Sequence, residues 1–147
     1  MTLEIRPLRL DERADWDVLW KGYLDFYKTA VPKQVYDSTW ARLHDPAEPM
    51  HLLGGTIGGR LLGIVHYIYH RSCWTIGDYC YLQDLFVAEG ARKAGLGRAL
   101  IEAVYREARA AGASRVHWLT HETNATARAL YDTLADRPGF IQYRKVF

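Results

Sequence analysis

The chain has 147 residues, 49% of them hydrophobic and 24% charged, an ordinary globular mixture of about one domain's size with one core, so residues 1–147 are expected to form a single domain. Nineteen Lys plus Arg against seventeen Asp plus Glu leave a formal net charge of +2, too balanced for a protein that coats a polyanion by neutralising phosphates. Two cysteines, Cys73 and Cys80, are too few for a disulfide scaffold, and no Cys and His spacing matches a zinc site, so the chain reads as a metal-free protein of the reducing cytoplasm.

Leu3 to Leu8 predicts a short first strand, and charge within the first six residues excludes a signal peptide. Asp11 to Tyr27 carries Trp16, Leu19, Trp20, Tyr23, Leu24 and Tyr27 at helical spacing. Between Lys28 and Pro49 three prolines interrupt the pattern, with room for a second short helix over Gln34 to Leu43. His51 to Ile57 and Arg60 to Arg71 then predict a hairpin joined by Gly58-Gly59, and Tyr79 to Val87 a third strand of the same antiparallel meander. A helix opens at Gly95-Leu96-Gly97 and stops at Gly112. Arg115 to Thr120 is a short strand, Asn124 to Leu134 a helix with an Asn N-cap, and Phe140 to Phe147 a final strand. The result is a mixed α+β layout, one sheet covered by helices. No apolar run approaches the roughly 20 residues that cross a bilayer.

The stretch that carries chemistry is Val87 to Leu100, where a basic turn leads through Gly95-Leu96-Gly97-Arg98 into a helix. A helix N-terminus exposes unpaired N–H groups and partial positive charge, and the glycines let phosphates approach the main chain. Arg92, Lys93 and Arg98 add cationic donors. The same residues also make an ordinary turn and cap, and by themselves they leave both readings open. A dinucleotide fingerprint wants a third small residue where Leu100 stands, and a P-loop wants Gly-Lys-Ser/Thr, which is absent. The match is Arg92-x-x-Gly95-x-Gly97. It resembles the coenzyme A pyrophosphate loop of the GNAT superfamily of N-acetyltransferases. A second segment, Asn124-Ala-Thr-Ala-Arg-Ala-Leu130-Tyr131 followed by Pro138-Gly139-Phe140, resembles that family's Asn-x-x-Ala-x-x-Leu-Tyr helix and Gly-Phe strand start. Within the superfamily, Tyr81-Leu82-Gln83-Asp84-Leu85-Phe86-Val87 resembles the corresponding strand of the diamine and polyamine acetyltransferases, which carry Glu where this chain has Gln83.

The resemblance implies a mostly antiparallel GNAT sheet, helices on both faces, splayed where acetyl-CoA binds. Leu85, Phe86 and Val87 would line its pantetheine arm, and Arg92, Lys93, Ala94, Gly95, Leu96, Gly97 and Arg98 its pyrophosphate. Asn124 would face the same arm while capping its helix. Tyr131 would protonate the departing thiolate, or else only pack against the sheet. Gln83 cannot serve as the base that the family's Glu is, so Asp84, His121 and Glu122 remain as alternatives. Asp84 has three open readings: base, partner of the acceptor's cation, or surface ion pair. His66 and His70 read as packed or solvated. Tyr23 and Tyr27, with Gln83, Asp84 and His121, would line an acceptor pocket.

The resemblance thus implies acetyl transfer from acetyl-CoA to a primary amine in a ternary complex, the acceptor a small cationic molecule such as a diamine, polyamine or amino acid. A protein lysine or N-terminus is the runner-up acceptor, and an acyl-CoA-binding sensor without catalysis the alternative of another class. Scattered arginines argue against nucleic acid. Since only one strand fits after Phe140, its pairing or exchange with a second subunit predicts a homodimer.

Overall fold

The structure, a computed structural model, describes residues 2–147. Five strands form one sheet in the order β1-β2-β3-β4-β5: β1 (Leu3–Arg6), β2 (Met50–Ile57), β3 (Arg60–His70), β4 (Tyr79–Val87) and β5 (Arg115–His117). The first four are antiparallel neighbours, and β5 runs parallel to β4. Four helices, α1 (Arg13–Phe26), α2 (Lys33–Leu43), α3 (Leu96–Ala110) and α4 (Ala125–Tyr131), cover it. None among the described residues is long and apolar enough to cross a membrane.

Side-chain alternation along the strands builds two cores. On one face Leu53, Val65, Tyr67, Cys80 and Leu82 meet Leu96, Leu100, Ile101 and Val104 of α3, with Leu130 and Tyr131 of α4 at the margin. On the other, Leu52 and Ile64 meet Trp16, Leu19, Trp20 and Leu24 of α1 and Trp40 and Leu43 of α2. Burying each such side chain stabilises the fold by about 1.5–3 kcal/mol relative to exposure. Trp16 lies at the centre of the second core, its ring 5.1 Å from that of Trp40 and 6.1 Å from that of Trp20. Gly22 sets how closely α1 approaches β4, since a Cβ there would stand 2.8 Å from the Phe86 ring.

Two features of β4 decide where its residues point and which of its backbone groups stay unpaired. Its register with β3 slips between His66 and Tyr67, which pair with Asp84 and Leu82, leaving Gln83 as the extra residue of a β-bulge. The bulge keeps Leu82 in the α3 core and His66 and Asp84 together on the α1 face. Second, β5 pairs with β4 only through Tyr79–Tyr81 against Arg115–His117. From Leu82 onward β4 has no neighbour on that side, and a gap opens.

Several expectations need correction. The strand expected to Thr120 ends at His117, and the helix expected to Leu134 ends at Tyr131 and continues in turns. The strand expected over Phe140 to Phe147 is not formed: a strand exists only when an edge pairs with it, and within this chain no edge meets that segment. Phe140, Ile141, Tyr143, Val146 and Phe147 are all exposed.

Candidate active site

The open edge of β4 is where the conspicuous residues gather. Ala88 donates its N–H to Leu62 on β3 at 2.8 Å, so by strand alternation Phe86 also faces β3, while the main-chain groups of Leu85 and Val87 face the gap. Phe86 sends its ring to the α1 core instead. Beyond β4, Ala91 is buried and anchors a short turn that leads through Arg92, Lys93 and Ala94, all exposed, to Gly95. Gly95 sits at φ +81°, a left-handed conformation that costs a side-chain-bearing residue energy, and begins α3 with no side chain capping it. The first bond of α3 runs from Ala99 N–H to Gly95 C=O at 3.1 Å, so the N–H groups of Leu96, Gly97 and Arg98 point outward without helical partners. A Cβ at Gly95 would meet nothing within 4 Å. Open space, free N–H groups and flanking cations fit an anionic ligand of pyrophosphate size.

The basic side chains are deployed unevenly. Arg92 donates from Nε to the Val87 carbonyl at 3.2 Å and lies over the Phe26 and Phe86 rings, 5.8 Å from each, which ties the loop to the end of α1. Arg98 turns away from the loop, donating to Thr133 Oγ1 at 2.9 Å. Lys93 is exposed at the mouth.

Tyr131 ends α4 on the α3 side of the gap, with the Trp118 ring 5.4 Å away edge-on. Burial, with a smaller contribution from Tyr27, pushes its phenol up to about 12, above the ordinary value near 10 assumed from sequence. Asn124 accepts from the Ala127 N–H at 3.4 Å and starts the helix that carries Tyr131.

On the α1 side, Trp16, Trp20, Tyr23 and Tyr27 recur at spacings of four, three and four and touch ring to ring, the first two pairs stacked and the last tilted, with centroids 6.1, 5.0 and 4.9 Å apart. This ladder runs from the core to the gap. Tyr27 meets His121, from the loop after β5, at 5.5 Å. Burial, then the negative charge of Asp84 and a hydrogen bond to it, push the Tyr23 phenol up. Asp84 itself is largely buried, its side chain 12% exposed, and its Oδ2 lies 3.0 Å from His66 Nδ1. The surface ion-pair reading of Asp84 is thereby removed. Gln83, its neighbour in the bulge, is exposed.

Tyr23, Tyr27, Asp84, His121 and Tyr131 thus share one region, reached from both faces through the gap. The arrangement offers a buried carboxylate for a cation, a protonated phenol across from it, and a phosphate-sized loop at the far end. Sequence reasoning passed over His66, read only as packed or solvated: it is packed, and it also touches Asp84. Neither cysteine joins the group; Cys80 is buried in the α3 core with its thiol pushed up to about 12 by desolvation, and Cys73 is exposed.

The chain is also similar to known proteins. The chain is 38% identical over 137 residues to D-amino-acid N-acetyltransferase HPA3 of Saccharomyces cerevisiae, covering 92% of this chain and 84% of that one. It is 35% identical over 78 residues to thialysine N-epsilon-acetyltransferase of Caenorhabditis elegans, covering 53% of this chain and 48% of that one. In fold it is similar to a ribosomal-protein-alanine N-acetyltransferase from Brucella melitensis biovar Abortus 2308, with a TM-score of 0.82 at 20% identity over 99% of this chain and 100% of that one. It is likewise similar to an aminoglycoside acetyltransferase, HMB0005, from an uncultured soil metagenomic sample, with a TM-score of 0.82 at 21% identity over 100% and 99% of the two chains. Residues 16–135 match the Acetyltransferase (GNAT) family, and the chain belongs to it as an N-acetyltransferase.

Proposed function

We propose that the protein transfers the acetyl group of acetyl-CoA directly to the primary amine of a small, amino-acid-like or polyamine-like cation. The observation that carries this reading is the meeting, at the gap beside β4, of an uncapped helix N-terminus and cationic loop with Tyr131 from one face and Asp84 from the other. Acetyl-CoA, the cosubstrate of this family, supplies the activated acyl thioester when bound. The main-chain groups of Leu85 and the N–H of Val87, whose carbonyl already holds Arg92, pair with its extended arm, since an unpaired strand edge offers ready partners. The N–H groups of Leu96, Gly97 and Arg98, with Arg92 and Lys93, receive the pyrophosphate. Asn124 faces the arm from the start of α4.

An alkylammonium has a pKa of about 10.4, so the acceptor must lose a proton before its nitrogen can attack. Asp84 draws the ammonium in and accepts that proton, while Tyr23 and Tyr27 offer ring faces to the cation. Tyr131, still protonated at neutral pH because burial has raised it to about 12, donates to the leaving sulfur. The two relatives described above are named for small amine acceptors, a D-amino acid and thialysine, and this favours a small acceptor over a protein. Two free cysteines suit a reducing cytoplasmic setting. Thiol release from acetyl-CoA, followed over D- and L-amino acids, lysine analogues, diamines and a basic peptide, tests this. Turnover with one of the free amines is expected; release with the peptide alone would overturn the small-acceptor reading.

The same proposal includes a homodimer. The exposed apolar residues of Phe140–Phe147 form an unpaired strand sequence, and a second copy supplies the edge this chain lacks. Light scattering at micromolar concentration is expected to give twice the chain mass, falling to one chain when residues 140–147 are removed; a monomeric full-length chain would contradict it.

A further inference from the structure

His66 is 3% exposed, Trp16 is fully buried, and the Trp16 indole Nε1 lies 3.0 Å from His66 Nε2. An indole N–H only donates, so Nε2 of His66 must be the accepting, unprotonated nitrogen. A neutral imidazole carries its proton on the other nitrogen, and that nitrogen, Nδ1, faces Asp84 Oδ2 at 3.0 Å. The chain of bonds therefore has one direction, from Trp16 to His66 to Asp84. Protonating His66 would set Nε2–H against the indole N–H, two donors with no acceptor between them in a dry core. The other groups packed on His66 are the Trp20 ring from α1, at 4.9 Å, and Leu52 opposite it on β2; Asp84 is the charged group it hydrogen-bonds, and Tyr23 reaches Asp84 from α1.

We propose that Trp16 and His66 are positioning residues for the acceptor amine: Trp16 pins His66 as the neutral Nδ1–H tautomer, and His66 holds one oxygen of Asp84. The carboxylate then keeps its full negative charge and presents its other oxygen to the acceptor. An imidazolium in the same place would cancel that charge. The inference rests on Asp84 being the acceptor's anchor and adds what keeps it fit for that task.

Nitrogen-15 spectra of histidine-labelled full-length protein, without substrate, read the tautomer directly. His66 is expected to show a protonated Nδ1 and a bare Nε2 at about pH 7.5. In Trp16→Phe the donor that selects the tautomer is gone, and the acceptor KM rises at least about fivefold over wild type while the acetyl-CoA KM holds. His66→Asn retains an N–H for Asp84 and keeps the acceptor KM within about threefold of wild type, whereas His66→Leu raises it about tenfold or more. A wild-type His66 that is protonated on Nε2 overturns the proposal. So does a Trp16→Phe variant whose acceptor KM equals that of wild type. Asp84→Asn separates the two levels: an unchanged acceptor KM there sinks the anchoring role and this inference with it, whereas a raised KM there beside an unaffected Trp16→Phe sinks the inference alone.

Discussion

The rings of Tyr27 and His121 lie 5.5 Å apart, joining the end of α1 to the loop after β5 across the gap in the sheet. The gap exists because β5 leaves β4 after three residue pairs, and its floor on the α1 side is the aromatic ladder that ends at Tyr27. One helix thus buries Trp16 in the core and brings Tyr23 and Tyr27 to the candidate site, so core packing and the proposed acceptor pocket share a single stripe of residues.

Removing the Tyr131 hydroxyl separates catalysis from binding. Tyr131→Phe is expected to lower kcat by about 100-fold or more, the usual scale for a lost proton donor, with the acetyl-CoA KM within about twofold of wild type. Because the phenol titrates only at about 12, it contributes no falling limb to the wild-type rate profile between about pH 7 and 10. Steady-state rates at saturating acceptor check both statements.

Acyl transfer without a cysteinyl intermediate makes a prediction about thiols. Cys73 is exposed and Cys80 is fully buried with its thiol raised to about 12. A colorimetric thiol reagent is expected to titrate Cys73 alone in the native protein and both cysteines in denaturant. The double variant Cys73→Ser, Cys80→Ala keeps kcat within about threefold at moderate temperature, since Cys80 is sealed in the α3 core and Cys73 lies in the segment after β3.

Acid stability turns on an ion pair far from the chemistry. Arg6 grips Glu12 with two bonds, 2.8 and 2.9 Å, and the Arg9 N–H adds a third at 2.9 Å. The hydrogen bond from Arg6 leads in lowering the Glu12 carboxyl from 4.5 to about 2. A folded value below the unfolded one means the contribution is complete above 4.5 and disappears as pH falls toward about 2. Glu12→Gln is expected to lose about 1–3 kcal/mol at neutral pH, with the difference from wild type shrinking in that acid window. Urea unfolding at several pH values measures it.

The parts of the candidate site that were legible in the sequence are local in the chain. Arg92 to Gly97 and Asn124 to Tyr131 each place their groups by the geometry of one turn and one helix, and the helical spacing from Trp16 to Tyr27 marked the stripe facing the sheet. The link between His66 and Asp84 was not legible, because it depends on pairing two strands across a bulge whose position shifts every partner beyond it. The last strand failed for the opposite reason: Phe140 to Phe147 has strand-forming residues, but a strand needs an edge, and the edge is not a local property. Arg98 shows the same limit on a smaller scale, a cation beside the loop in sequence whose fork goes to Thr133 on another segment.

The central claim is that the acceptor's charge is received by Asp84 while acetyl-CoA is held elsewhere. Steady-state kinetics of Asp84→Asn, with the best acceptor from the amine panel, test it most directly. The variant keeps the size of the side chain and removes the charge, and the account predicts an acceptor KM at least about tenfold higher, a lower kcat/KM for the acceptor, and an unchanged KM for acetyl-CoA. An acceptor KM equal to wild type, or an equal rise for both substrates, would contradict it.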